Sequence, residues 1–195
     1  MPAGTLVLAS TSPRRRRLLA EAGFDFEVVD PGPDGPSQAV DPAARVLDHA
    51  RAKALAGARL RPGRPVLAAD TLVVLDGAFL PQPSGRREAE AMLRRLSGRR
   101  HEVWTGTVLI LPDGGRREAA DRARVRFRTL APTELATYLD GGEWRGKAGA
   151  YAIQGAAGAW AEVEEGSLDT VVGLCLDTVR RLLGDAGACP EAPVG

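Results

Sequence analysis

The sequence predicts an α/β chain, and three observations carry that reading. A short apolar run, Leu6 to Ala9, passes through a Ser-rich turn into a helix from Pro13 to Ala22, and strand character resumes from Phe26 to Val29. A second helix, opened by Asp41 and Pro42 and running to about Ala56, is followed by the wholly apolar strand Val66 to Ala69. Further on, apolar segments flank Asp76-Gly77 and Asp113-Gly114-Gly115, the turn chemistry of hairpins. Strands alternating with helices bury their apolar faces as a sheet with helices laid on it.

Each element has a local reason. Ser12 is placed to cap the first helix, Pro13 suits its first turn because it has no N–H to leave unpaired, and Gly23 ends it. Asp30 to Pro36 is a loop, since its prolines supply no ladder donors. In the second helix Ala43, Val46, Leu47, Ala50 and Ala54 recur at helical spacing, with Lys53 near its end. Leu72 to Leu75 reads as one arm of a hairpin. Arg86 to Leu96 turns Ala89, Met92, Leu93 and Leu96 inward and stops at Gly98. Glu102 to Leu111 and Asp121 to Phe127 form a longer hairpin, Pro132 to Leu139 a short helix, and Gly141 to Gly158 a Gly-rich stretch. A strand near Trp160 to Val163 and an apolar segment from Val171, helical to about Leu183, complete the order. Residues 1–184 read as a single catalytic-sized domain of two lobes, and 185–195, small and Pro-rich, as a flexible tail.

Composition narrows the classes of function. At 195 residues and 44% hydrophobic the chain can bury a core. A formal charge of +1 gives no general pull toward nucleic acid or an anionic membrane, so stable nucleic-acid binding is not expected. No apolar run reaches the roughly 18 residues of a membrane span, and no secretory leader is recognisable, so the expected location is the cytoplasm. Cys175 and Cys189 suggest neither a disulfide framework nor a metal cluster. Of 26 basic residues only two are lysine, Lys53 and Lys147, which singles both out as candidate positions for a compact ammonium in place of a planar guanidinium.

Four consecutive arginines, Arg14 to Arg17, crowd the N-terminal turn of the first helix, where the helix dipole favours anions. Ser10, Ser12, Arg14 and Arg15 at this strand-to-helix turn offer hydroxyls, amides and guanidinium forks to a phosphate; the alternative is an ordinary capped helix with its arginines in water. Arg16 and Arg17 face solvent on either reading, because four successive helical positions span four directions. Asp70 and Thr71 follow an apolar strand, the place where open α/β sheets put ligands. A carboxylate there orients a water or holds a divalent cation, or else satisfies local amides in a turn. Lys147 to Gly155 lets backbone approach a ligand at its glycines, and the Gln154 amide suits a base edge. His49 and His101 show no zinc spacing and no adjacent nucleophile, so both read as structural or surface residues. Arg122, Arg124, Arg126 and Arg128 alternate with Ala123, Val125 and Phe127; without interleaved aromatics they read as a solvated sheet face rather than a nucleic-acid surface.

Taken in order, Leu6 to Arg15 (LVLASTSPRR), Ala69-Asp70-Thr71, Met92 to Gly98 (MLRRLSG), Lys147 to Gly155 (KAGAYAIQG) and Val171 to Leu174 (VVGL) resemble the Maf family of nucleoside triphosphate pyrophosphatases, from about residue 5 to residue 183. The resemblance implies a Maf and inosine-triphosphatase-like mixed sheet with flanking helices, two lobes around a deep cleft, and a homodimer. It implies attack of a metal-assisted water on the α-phosphorus of a nucleoside triphosphate, with Mg or Mn as cofactor. Asp70 then stands as proton acceptor and metal ligand, with Asp34 a second candidate ligand. Arg14, Thr71 and Gln154 stand at positions tied to substrate choice; Ser10, Ser12, Arg15, Lys53 and Lys147 line the phosphate site. Ala-Asp-Thr with Ile-Gln-Gly resembles the subgroup acting on dTTP and UTP, whereas the 7-methyl-GTP subgroup usually carries Ser-Asp-Gln and Ser-Glu-Gly. The family's link to septum inhibition leaves a nucleotide-binding regulator as the alternative. Two departures bear on rate: Pro81-Gln82-Pro83 replaces a usual Gly-Lys-Pro, with Arg86 as the neighbouring cation, and Asp34-Gly35 replaces a usual acidic pair.

Overall fold

The computed structural model describes residues 5–33 and 35–184. Asp34, Cys189 and the 185–195 tail lie outside the described residues. Among the described residues seven strands, β1 (Leu6–Ala9), β2 (Phe26–Val29), β3 (Val66–Leu75), β4 (Ala78–Leu80), β5 (Arg100–Ile110), β6 (Arg116–Phe127) and β7 (Ala161–Glu165), form one sheet in the order β2-β1-β3-β5-β6-β7, with β4 beside β3. β1 runs parallel to β2 and β3, while β3–β4 and β6–β7 are antiparallel. The helices are α1 (Pro13–Glu21), α2 (Pro42–Leu60), α3 (Arg86–Leu96), α4 (Pro132–Gly141), α5 (Leu168–Val172) and α6 (Leu176–Gly184). The mixed α/β class expected from the sequence is therefore observed.

Several boundaries differ from the sequence reading. α2 continues a full turn beyond Ala56, to Leu60, because Gly57 packs against the sheet instead of ending the helix. β3 does not break at Asp70 but runs unbroken through it to Leu75. The final apolar segment is two helices, separated by residues 173–175, of which Gly173 has φ of 125°. Ser12 occupies the N-cap position of α1 in extended conformation, yet its side chain makes no capping bond.

The chain divides into two compact units, and β3, β5 and β6 each pass from one to the other. The first unit holds residues up to Asp70, 105–121 and the segment from Gly173. Its core gathers Val7, Ala9, Val29, Ala50, Ala54, Val66, Ala68, Val108 and Ile110. α2 starts well, with the Asp41 carboxylate accepting from Ala44 N–H at 2.8 Å and Pro42 in its first turn. It lies unusually close to the sheet. A Cβ on Gly57 would come within 2.7 Å of Ala9 Cβ, and one on Gly106 of β5 within 2.7 Å of the Val46 carbonyl carbon.

The second unit comprises residues 71–104 and 122–172. α3 contributes Ala89, Met92, Leu93 and Leu96 to a core with Phe127, Tyr138, Tyr151 and Trp160, whose rings meet edge to face. Gly98 (φ 72°) ends the chain's run out of α3 and donates its N–H to Arg128 O at 3.1 Å. The Gly-rich stretch forms two short 3-10 turns, Ala148–Ala150 and Ala156–Ala159.

Candidate active site

The first unit supplies a carboxylate ringed by cations. Ser10 follows the last residue of β1 and is 3% exposed; its N–H donates to Leu8 O and Val29 O, each at 3.1 Å, which fixes the backbone where it leaves the sheet. Its Oγ accepts from Ser12 N–H at 3.2 Å and from Arg15 Nη1 at 3.4 Å. Arg15 is further tied by Nε to the Gly173 carbonyl at 2.8 Å. Arg14 and Arg15 are half-buried, whereas Arg16 and Arg17 are exposed and Arg17 pairs with Glu21. Burial lowers the Arg14 guanidinium below its ordinary value. The division of the four arginines into two inward and two outward, read from helical geometry, is the one observed.

Asp70 sits inside β3 and is only 7% exposed. One carboxylate oxygen, Oδ1, accepts from Lys53 Nζ at 2.7 Å, and the other, Oδ2, from His49 Nδ1 at 3.0 Å. An ionised carboxylate only accepts, so the partner chemistry assigns the His49 proton to Nδ1. Burial pushes the Asp70 pKa up, but the His49 hydrogen bond, the Lys53 ammonium and the Arg15 charge together outweigh it and hold the carboxyl below its ordinary value. Asp70 is therefore ionised at neutral pH. A turn aspartate serving local amides would not lie mid-strand with an ammonium on one carboxylate oxygen and an imidazole N–H on the other.

His49 is the functional candidate that sequence reasoning missed. It lies four residues before Lys53 on α2, and residues so spaced share one helix face. That relation to a lysine already singled out was the available signal. The other histidine, His101, does have a structural setting: it is buried against Phe127 and its Nε2 lies 2.8 Å from the Tyr151 hydroxyl.

Thr71, Lys147 and Gln154 belong to the second unit. Thr71 is half-buried in β3, and Gln154 is exposed. Lys147 donates from Nζ to Arg145 O at 3.0 Å, and the turn after it is tight: Gly149 and Ala150 have φ of 67° and 62°. A left-handed alanine is a strained residue, and such strain gathers at functional segments. Gly149 N–H donates to Pro81 O at 3.2 Å, which sets the Lys147 segment beside Pro81-Gln82-Pro83 within this unit. Gln82 is exposed, and Arg86 forms an ion pair with Asp140 at 2.5 Å, so Arg86 is already engaged.

The site can receive an anion and a proton. Ser10, Arg15 and the N-terminal amides of α1 suit phosphate oxygens, while Asp70 is a buried, ionised acceptor. Among the described residues no group of three or more His, Cys, Asp or Glu side chains is arranged to hold a metal ion. The described residues of this site thus offer a divalent cation one carboxylate, Asp70, rather than a cage of protein ligands. No described helix is long and apolar enough to cross a membrane.

A family model described as Maf-like protein matches residues 5–186. The dTTP/UTP pyrophosphatase of Rhodospirillum rubrum is 44% identical over 189 residues, covering 96% of this chain and 90% of that protein. The dTTP/UTP pyrophosphatase of Deinococcus radiodurans is 43% identical over 190 residues, covering 96% and 97%. A crystal structure of the nucleoside-triphosphatase / dITP/XTP pyrophosphatase of Mycobacterium abscessus is similar over 93% of this chain and 92% of that one, at 16% identity and a TM-score of 0.46.

Proposed function

Because the chain belongs to the Maf-like family, we propose that it is a nucleoside triphosphate pyrophosphatase that hydrolyses dTTP and UTP to the monophosphate and pyrophosphate. The observation that carries the reading is Asp70: a carboxylate 7% exposed and yet held ionised by His49, Lys53 and Arg15. The names of relatives at 43–44% identity over nearly the whole chain supply the substrate class.

In this reading Asp70 accepts a proton from a water whose oxygen bonds to the α-phosphorus, while the bond from that phosphorus to the bridging oxygen breaks and pyrophosphate leaves. Lys53 offsets the negative charge that gathers as phosphate approaches the carboxylate. Ser10, Ser12, Arg15 and Lys147 bind phosphate oxygens, and Arg14, Thr71 and Gln154 discriminate the nucleoside. Asp70 would share a Mg or Mn ion with the triphosphate, and that ion, when bound, draws charge from the phosphate oxygens. Asp34 is the second candidate ligand. The protein acts in the cytoplasm as a homodimer.

The test is pyrophosphate release from a nucleotide panel with Mg or Mn. The expected outcome is turnover of dTTP and UTP above purine nucleotides, reduced by about 100-fold or more in Asp70→Asn, the scale of a lost general base. No release, or release unchanged in Asp70→Asn, overturns it. The exposed, neutral Gln82, with Arg86 held by Asp140, favours the second reading, a nucleotide-binding regulator of septum formation with weak catalysis. Saturable nucleotide binding without turnover is its signature.

A further inference from the structure

Resting on the pyrophosphatase reading, we propose that His49 is a positioning residue for Asp70, one that fixes the plane in which the carboxylate receives its proton. The Asp70 side chain has two torsions. Lys53, at the end of a flexible four-carbon stem, engages Oδ1 alone, and a single bond at one oxygen leaves the group able to turn about its Cβ–Cγ axis. The Nδ1–H of His49 on Oδ2 removes that freedom. Imidazole is a flat group with only two torsions, so little entropy is lost in holding it there.

The device is rigid at its base. His49 and Lys53 project from the same face of α2, one turn apart, and each takes one oxygen of the same carboxylate. α2 in turn is set against the first unit's strands at distances that admit only glycine at Gly57 and Gly106. Both side chains are mostly shielded, at 15% and 12% exposure, so their bonds to Asp70 compete little with water. A carboxylate so clamped presents its remaining lone pairs in one direction, and proton transfer depends on that direction. His49 reaches the carboxylate through Nδ1 and acts through it.

The experiment compares wild type, Asp70→Asn, His49→Leu and His49→Asn as full-length chains. Leucine fills the space without a donor, whereas the asparagine amide offers an N–H near the place of Nδ1. Steady-state dTTP hydrolysis gives kcat and KM, calorimetry gives affinity for a non-hydrolysable α,β-imido dTTP analogue, and thermal melting checks folding. His49→Leu is expected to lower kcat by about 10- to 100-fold, the cost of a misplaced reacting group, with KM and analogue affinity unchanged. His49→Asn is expected to recover most of that loss. An unchanged kcat in His49→Leu, affinity falling in step with kcat, or no recovery in His49→Asn overturns the proposal. If His49→Leu melts before the assay temperature, the comparison of His49→Asn with wild type decides it, full loss overturning it and near-full activity upholding it. Silent Asp70→Asn with fully active His49→Leu refutes the positioning role alone, while absence of turnover in wild type refutes both it and the pyrophosphatase reading.

Discussion

His101, 2% exposed in β5, is held neutral: burial brings its pKa from 6.5 down to about 4. Its neighbour Tyr151 is pushed upward by burial and keeps its proton, so the pair carries no charge. In the unfolded chain the imidazole takes a proton below pH 6.5, and in the folded chain it does so only near pH 4. The unfolded state thus binds more protons between those values, and stability falls as pH is lowered through that window. The expected loss from this one group is about 3 kcal/mol, complete near pH 4. Urea unfolding at pH 7, 5.5 and 4.5 measures it, and His101→Gln should flatten the response in that range. The structural reading of His101 was legible in the sequence, but its partner was not, and His49 was misread, because the partners lie far along the chain: 21 residues separate His49 from Asp70, and 50 separate His101 from Tyr151. Asp70 and Lys53 were legible for opposite reasons, one as a charge after an apolar strand, the other as a rare lysine among arginines.

At the scale of elements, the contact that matters most is α2 against β5. Gly106 meets Val46 backbone, and backbone cannot swing aside as a side chain tip can. Gly106→Ala is therefore expected to destabilise the protein by about 1–3 kcal/mol, the range for an overpacked core. It should also depress pyrophosphate release beyond what stability explains, since lifting α2 moves His49 and Lys53 from Asp70. Equilibrium unfolding alongside the pyrophosphate assay at a temperature where both proteins are folded tests this. The existence and type of most helices and strands could be read from periodicity and caps. What periodicity missed was the continuity of β3 through Asp70 and the extension of α2 past Gly57, because glycine and aspartate are turn residues by local preference and only tertiary packing holds them in a strand or helix. That Arg14 to Arg17 cannot all face one way was legible from helix geometry; which two turn inward rested on the Ser-rich turn they follow.

For the whole molecule, charge placement decides what does not bind. The alternating arginines of β6 and the residue after it, Arg122 to Arg128, are exposed or, for Arg124, half-buried, and they are matched with carboxylates: Arg124 with Glu165 at 2.6 Å, Arg126 with Glu162 at 2.5 Å, Arg128 with Glu134, Arg122 with Glu102, and Arg100 of β5 with Glu164 at 2.7 Å. Each exposed pair adds little stability, but together they cancel the positive field that a polyanion would need. Fluorescence anisotropy with a labelled 20-mer is expected to show no binding from 50 to 200 mM salt, and affinity rising steeply as salt falls would contradict it. Composition had pointed the same way through a charge of +1, but the matching came from the fold, in part from the β6–β7 register, which sets Arg124 opposite Glu165 and Arg126 opposite Glu162. That register also concerns the rim of the sheet. β7 stands last in the strand order among the described residues, and an outermost strand is a template on which stray chains can polymerise. With Glu162, Glu164 and Glu165 along it, a second β7 laid alongside would meet carboxylate with carboxylate. Three carboxylates in five residues make β7 a charged rim, and charge along an outer strand is a common means of discouraging edge-to-edge pairing.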